Sequence, residues 1–458
     1  MPLSVMKTML KRNRHLYRFG IFIKSSLPKT FYYTRAYPYI LSLNKRYEKP
    51  DQQAAVRAVL RRQLAECLRE ALEWVPYYRE TVSMRPDEID ESNAVEALKE
   101  FPYLQKSTVV DNDEAFLNRR FNKNSLARYT SGGSTGHGIT VWRTKREDGI
   151  EVAFVISEWG KLGLDWEKSR IVRISADVIK RDDEDPFKYW GNRLFISTFH
   201  LHSRWMDEIY RAIVAFKPQF IWAYTGGMEM LAEYMQGQAK SLPSLKGILL
   251  SSETLLDHQY PLFKRAFRVP VSDLYGLTER TNLAFLRESS NGDDFYYRLS
   301  DTYGYYENYR DEYGNDEIIG TSYWITAMPL IRYRTSDIGT IDENGIIRKL
   351  QGRAQDYFID KKGRRLLASP VRVEKYAWQY IAVSQLVQNK AGEIIIKVVP
   401  KKNFTEPIKK LIQDCVNRDY GQYFDAQIEI VNDIEWTKAG KRQIIINNLE
   451  RPRRAQFG

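Results

Sequence analysis

The sequence predicts an α/β fold: a large body of sheets and packed helices, followed by a small α+β domain. Three observations carry this expectation. The chain of 458 residues is too long for one ordinary core. Short strand-like runs alternate with helical ones through most of it. The texture then changes after residue 353, where "GRAQDYFIDKKGRRL" is polar and turn-rich.

Residues 51–80 read as helix, because Val56, Val59, Leu60, Leu64, Cys67, Leu68, Leu72 and Val75 recur at steps of three and four. The pattern stops at Pro76. "LKGILL" (245–250) and "VPVSDLY" (269–275) are strand candidates on either side of a helix candidate, 257–267. In the last part, "EIIIKVVP" (393–400) and "AQIEIV" (426–431) read as strands and 405–418 as an amphipathic helix. The boundaries expected are 1–46, a basic arm; 47–352, the body; and 353–458, the small domain.

Charge is unevenly spread. The formal net charge is +12, yet residues 1–46 hold ten Lys/Arg and no Asp or Glu, so the rest carries only about +2. Leu, Ile and Phe alternate with these charges, in runs far shorter than the ~20 apolar residues of a membrane span. No secretory signal is read there. A solvated arm, a segment lying on an anionic membrane surface, and a nucleic-acid arm are the readings weighed. The last is not favoured, since no stacking platform or reading motif accompanies the charge. The two cysteines, Cys67 and Cys415, exclude a disulfide framework and a cysteine-rich zinc site. The expected location is the cytoplasm, with a membrane-peripheral position open.

The most informative stretch is "LARYTSGGSTGHGITVWRT" (126–144). Gly132, Gly133, Gly136 and Gly138 allow close backbone approach to phosphate, and Thr130, Ser131, Ser134 and Thr135 add hydroxyls. A Walker loop needs Lys where His137 stands, and a dinucleotide fingerprint must run into a helix. "ITVWRT" is β-branched and aromatic, so the loop should join two strands. Alone, such a turn is also read as a flexible hairpin.

Companions follow in order: "LLSSETL" (249–255), "DLYGLTE" (273–279), "PLIRYRTSDIG" (329–339), "GRAQDYFID" (352–360) and "WTKAGKRQ" (436–443). With the glycine loop they resemble the acyl-adenylate-forming superfamily. "FPYLQKS" (101–107) and "FKPQFIWAY" (216–224) bring the likeness to its phenylacetate–CoA ligase-like branch, which includes capsular-polysaccharide members. The likeness covers roughly 100–445 and leaves out the arm.

The resemblance implies a large adenylate-forming body, a mobile C-terminal domain, and ATP with Mg²⁺. Ser131, Gly132, Gly133, Ser134, Thr135 and Gly136 would hold the leaving phosphates. Thr278 would contact the α-phosphate and Glu279 the metal, a hard cation that suits carboxylate and phosphate oxygens. Ser252, Glu253, Tyr275 and Gly276 would border the adenine. Asp337 would accept the ribose hydroxyls, with Arg353 nearby. Lys441 would reach the α-phosphate and the substrate carboxylate, and Asp356 would be the hinge. Trp222, Tyr224, Thr225, Gly226, Ser251 and Leu277 would line the acid's pocket. The acceptor would be a CoA-like thiol or an amine. Without the family, Glu279 is a surface acid and Lys441 a solvated lysine.

Two departures stand out. Ser336 occupies the place before Asp337 that is commonly glycine, which is expected to alter the backbone without removing the carboxylate. The stretch after Glu279 lacks the Cys and His that hold a structural metal in some relatives, so no zinc is expected. His200 and His202 would share one strand face, but two ligands without a third are a weak metal signal. A rival reading is a catalytically silent membrane-peripheral scaffold of a polysaccharide-assembly complex.

Overall fold

Strand propensity and helix capping decide the local structure of the computed structural model. It describes residues 34–131, 139–175, 179, 185–201, 203–289, 292, 294–350, 352, 356–368, 373, 377, 380–435 and 443–449. The described residues fall into two compact units. One comprises Met1–Asn308, Ile319–Thr335 and Ile341–Arg348; the other comprises Tyr309–Ile318, Ser336–Thr340 and Lys349–Gly458.

In the first unit, helix α1 (Ala36–Tyr47) sets Tyr37, Ile40 and Leu43 of the basic stretch into the core, while Tyr39 and Lys45 are exposed. Helix α2 (Pro50–Trp74) buries Val56, Leu60, Leu64 and Leu68, one residue per turn on a single stripe. Proline lacks the N–H that a helix interior needs but suits the first turn. Pro76 accordingly stands at the start of α3 (Pro76–Thr81), directly after α2 ends. Two short helices follow, α4 (Ala94–Lys99) and α5 (Lys106–Asp111).

The two strands expected on either side of the glycine-rich stretch are present. Strand β1 (Ala127–Thr130) pairs antiparallel with β2 (Thr140–Arg143). Helix α6 (Lys145–Gly160) follows, with a capping box in which Thr144 and Glu147 satisfy each other's backbone N–H groups.

Next come β3 (Ile171–Ser175), β4 (Phe187–Trp190), β5 (Arg193–Ser197), α7 (Ser203–Phe216), β6 (Phe220–Ala223), α8 (Thr225–Gly237), β7 (Gly247–Ser251), α9 (Gln259–Phe267), β8 (Val271–Gly276), β9 (Leu283–Glu288), β10 (Phe295–Leu299), β11 (Gly304–Arg310), β12 (Asp316–Ser322), β13 (Tyr333–Ile338) and β14 (Ile346–Ile347). Nine of them form one sheet in the order β14-β10-β9-β8-β7-β6-β3-β5-β4. Its centre, β5-β3-β6-β7-β8, is parallel. Such strands are covered on both faces and read as apolar runs, as "GILLS" does in β7, where every residue is buried. A separate sheet has the order β11-β12-β13. His200 lies in a short 3₁₀ turn, Thr198–His200, not on a strand, because the chain turns at the end of β5. His202 lies outside the described residues.

In the second unit, β15 (Tyr357–Ile359) pairs with β16 (Arg365–Leu367). Strands β17 (Ile381–Lys390), β18 (Glu393–Pro400), β19 (Asp425–Ile430) and β20 (Ile445–Asn447) form a sheet in the order β19-β18-β17-β20. Helix α10 (Glu406–Tyr420) sets Ile412 and Val416, one turn apart, into a core with Leu386, Ile396 and Val398. Among the described residues no helix is long and apolar enough to cross a membrane.

Candidate active site

Ser131 closes the neck of the glycine-rich loop. Its N–H donates to the Ile139 carbonyl at 2.9 Å, and its hydroxyl accepts the Ile139 N–H at 3.0 Å. The neck therefore extends the β1–β2 ladder by one pair. Gly132, Gly133, Ser134, Thr135 and Gly136 lie outside the described residues. Below the neck, Tyr129 donates to Asp148 of α6 at 2.7 Å, and the Arg143 guanidinium stands 4.4 Å over the Tyr129 ring.

Strand β8 ends at Gly276, and the chain turns through Leu277, Thr278, Glu279 and Arg280, with the Arg280 N–H bonded to the Leu277 carbonyl at 3.1 Å. Thr278 and Glu279 are half-buried. Tyr333 donates to Glu279 Oε1 at 3.1 Å. The same stretch of chain is paired with "FPYLQKS": Leu104 N–H donates to the Arg332 carbonyl, and Arg334 N–H to the Leu104 carbonyl. Buried Glu147 accepts backbone N–H groups from Thr326 at 2.6 Å and Ala327 at 2.9 Å, just ahead of "PLIRYR". Segments far apart in the chain thus meet at the turn.

The end of β6 and the end of β7 are likewise joined. Trp222 Nε1 donates to Ser251 Oγ at 2.9 Å, and Ser252 takes a left-handed conformation, φ +74°. Glu253 Oε2 accepts the Gly226 N–H at 2.9 Å and the Thr225 hydroxyl at 3.2 Å, so this carboxylate serves the N-terminus of α8. Trp222, Tyr224, Thr225, Gly226, Ser251 and Glu253 are therefore neighbours at the carboxyl ends of parallel strands, where open α/β sheets bind ligands. Leu277 and Tyr275 are half-buried, and Tyr275 meets the Tyr297 ring edge-on at 6.4 Å.

Burial pushes the Asp273 carboxyl up to about 7, against the pull of the Tyr297 hydroxyl and the Leu274 N–H, with Glu253 adding to the rise. Sequence reasoning missed Arg173, whose guanidinium lies 3.7 Å over the Trp222 ring. The signal was available, since Arg173 is the one charge inside the apolar run "IVRIS".

In the second unit Asp337 is buried on β13. Ser336 adopts φ +62°, the left-handed region that favours glycine, and its N–H donates to Glu317 Oε1 at 2.7 Å. The departure expected at this position is thus met by a serine holding a glycine-like backbone. Ile338 N–H donates to the Gly352 carbonyl at 2.8 Å, which ties Asp337's strand to the segment leading to Arg353. Arg353 itself lies outside the described residues. The Asp356 carbonyl accepts the Ala368 N–H at 2.9 Å. Lys441 also lies outside them, but its flanks do not: Gln443 N–H donates to the Glu435 carbonyl at 3.0 Å, and buried Gln385 donates to the Gln443 carbonyl at 2.7 Å. No motif pointed to Gln385.

The architecture is a fold shared with ligases of known structure. It is similar to crystal structures of 2-hydroxyisobutyryl-CoA ligase. In the postadenylation state with R3-HIB-AMP the TM-score is 0.63 at 14% identity, covering 87% of this chain and 90% of that one. With 2-HIB-AMP in the same state it is 0.61 at 15%, covering 87% and 90%. In the thioesterification state, with 2-HIB-AMP and CoA, it is 0.51 at 15%, covering 86% and 90%. At such identities the likeness is one of fold. Residues 361–448 match the model of the CapK C-terminal domain. No curated protein sequence matches the chain. The fold class expected from the sequence is the one observed.

Proposed function

We propose that this protein is an adenylate-forming ligase that activates a carboxylic acid with ATP and passes the acyl group to a thiol or an amine. The observation that carries the reading is the hydrogen-bonded convergence of "FPYLQKS", "PLIRYR" and "DLYGLTE" at the Glu279 turn. In the first step a carboxylate oxygen attacks the α-phosphorus, an O–P bond forms, and pyrophosphate leaves. In the second the acceptor attacks the acyl carbon, gives up its proton, and AMP leaves.

Anion meets polyanion in the first step, so donors and positive charge must gather where negative charge develops. Ser131 to Gly136 take the leaving phosphates in this proposal, Thr278 and Lys441 the α-phosphate, Asp337 the ribose, and Ser252, Glu253, Tyr275, Gly276 and Arg353 the rest of the nucleotide. Asp356 is the proposed turning point of the 353–458 domain. Glu279 fits Mg²⁺, since a half-buried carboxylate in the turn after β8 leaves the remaining positions to phosphate oxygens and water. When bound, the ion would offset charge on the phosphates.

The acyl pocket is proposed to comprise Trp222, Tyr224, Thr225, Gly226, Ser251 and Leu277. The relatives of known structure bind acyl-AMP and CoA, which favours a CoA-like acceptor. The CapK C-terminal match supports a place in surface polysaccharide synthesis only through the name of that domain, and leaves both a thiol and an amine as acceptor. Pyrophosphate release from Mg·ATP across a panel of amino, aryl and fatty acids tests the proposal. Release with one class of acid supports it; no release with any acid, together with no binding of Mg·ATP, would sink it.

A further inference from the structure

We propose that Arg280 is a positioning residue that locks the Thr278–Glu279 turn to the stem of the β1–β2 hairpin through Asp148. This rests on the reading of both segments as parts of the nucleotide site. Arg280 itself holds φ +55°, a left-handed conformation that side chains disfavour and that persists only where the surroundings hold it.

The surroundings are specific. The Arg280 guanidinium reaches Asp148 Oδ1 at 3.0 Å, the Glu147 carbonyl at 3.1 Å and Glu151 at 3.7 Å, all in the first turns of α6. Tyr303 bridges the same groups, donating to Glu151 at 2.7 Å and lying 3.1 Å from the Arg280 carbonyl. From Asp148 the contact passes to Tyr129 on β1, at 2.7 Å, and so to the hairpin whose neck Ser131 closes. Arg143 of β2 completes the cluster. Its guanidinium is buried and is held below its usual range by desolvation and by Arg280's charge. Two cations and two carboxylates therefore share one desolvated space. Arginine is suited to this, because its rigid fork bonds several acceptors at fixed angles, as a lysine cannot.

The far side of the turn is also fixed. A Cβ on Gly320 would stand 2.7 Å from the Thr281 carbonyl and would overlap the Asn282 amide, so the chain after Arg280 lies against bare backbone. The turn is clamped at both ends, and Arg280 is the end that leads to the hairpin.

The test uses full-length Arg280→Met, Arg280→Lys, Asp148→Asn and the Arg280→Met/Asp148→Asn double variant. Amide hydrogen exchange at Ser131 reads the coupling without any nucleotide, and calorimetry reads Mg·ATP affinity. Arg280→Met should speed exchange at Ser131 and weaken Mg·ATP binding, each by roughly tenfold. Arg280→Lys should recover part of both, and the double variant should be no worse than the worse single one. Unchanged exchange at Ser131 in Arg280→Met, or additive losses in the double variant, would overturn the proposal. Should Arg280→Met not fold, Asp148→Asn and Arg280→Lys decide it by the same two readouts. If the wild-type protein binds no nucleotide, the reading of the site fails, and Ser131 exchange alone judges the coupling.

Discussion

Tyr333 donates its hydroxyl hydrogen to Glu279 Oε1 at 3.1 Å, joining residues 54 positions apart in the chain. The bond orients the carboxylate proposed to hold Mg²⁺ and leaves its second oxygen for the ion. A hydrogen bond to a charged group contributes about 1.5–3 kcal/mol. Tyr333→Phe should therefore slow Mg·ATP-dependent pyrophosphate release by roughly ten- to a hundredfold while leaving the KM for the acid near wild type. An unchanged rate would remove Tyr333 from the site.

Lys441→Ala should lower acyl-AMP formation by ~10²–10³, the size of losing one transition-state donor. Single-turnover formation of labelled acyl-AMP is the measurement. Wild-type rates would take the lysine out of the mechanism.

Gly320→Ala should destabilise the first unit by about 1–3 kcal/mol, because the new methyl group must displace the Thr281 carbonyl or the Asn282 amide. Urea denaturation reads this as a lower midpoint at unchanged slope. A wild-type midpoint would mean that the Thr281–Asn282 segment gives way easily.

Ser336→Gly should stabilise the protein by about 0.5–1 kcal/mol. Relief of the left-handed conformation at φ +62° outweighs glycine's greater loss of chain entropy. Loss of stability would show that the serine side chain does more than occupy the position.

Asp273 gives a pH dependence with a definite sign. Its carboxyl is raised by burial to about 7, above the unfolded value of about 3.8, so the folded state binds the proton more tightly. Its contribution to stability is full below about pH 4 and is lost as pH rises towards 7. Comparing wild type with Asp273→Asn by denaturation from pH 4 to 7 should show the difference between them shifting across that window. A constant difference would mean that Asp273 does not titrate there.

Much of the framework was legible because it depends on near neighbours in the chain. β-branched residues after the glycines announced β2, and the apolar run "GILL" announced β7. Pro76 marked the end of α2 because a proline cannot donate the hydrogen bond that a further turn needs. Ser336 was legible as a departure, though not that it would keep a glycine-like backbone with Glu317's help. That the Glu253 carboxylate bonds the first residues of α8 was not legible. Nothing in "SSETL" names Thr225 and Gly226 as partners.

From the sequence alone came the α/β alternation, the strand–loop–strand around Gly132–Gly138, and the order of the segments that suggested adenylation. These depend on backbone sterics and side-chain period, which act over a few residues. Which groups touch was decided only in three dimensions: Tyr333 with Glu279, Arg280 with Asp148, Trp222 with Ser251, Gln385 with Gln443. Those pairs depend on how strands order themselves in a sheet and how helices settle on it. That ordering follows from burial of the whole core, so no local stretch of sequence contains it.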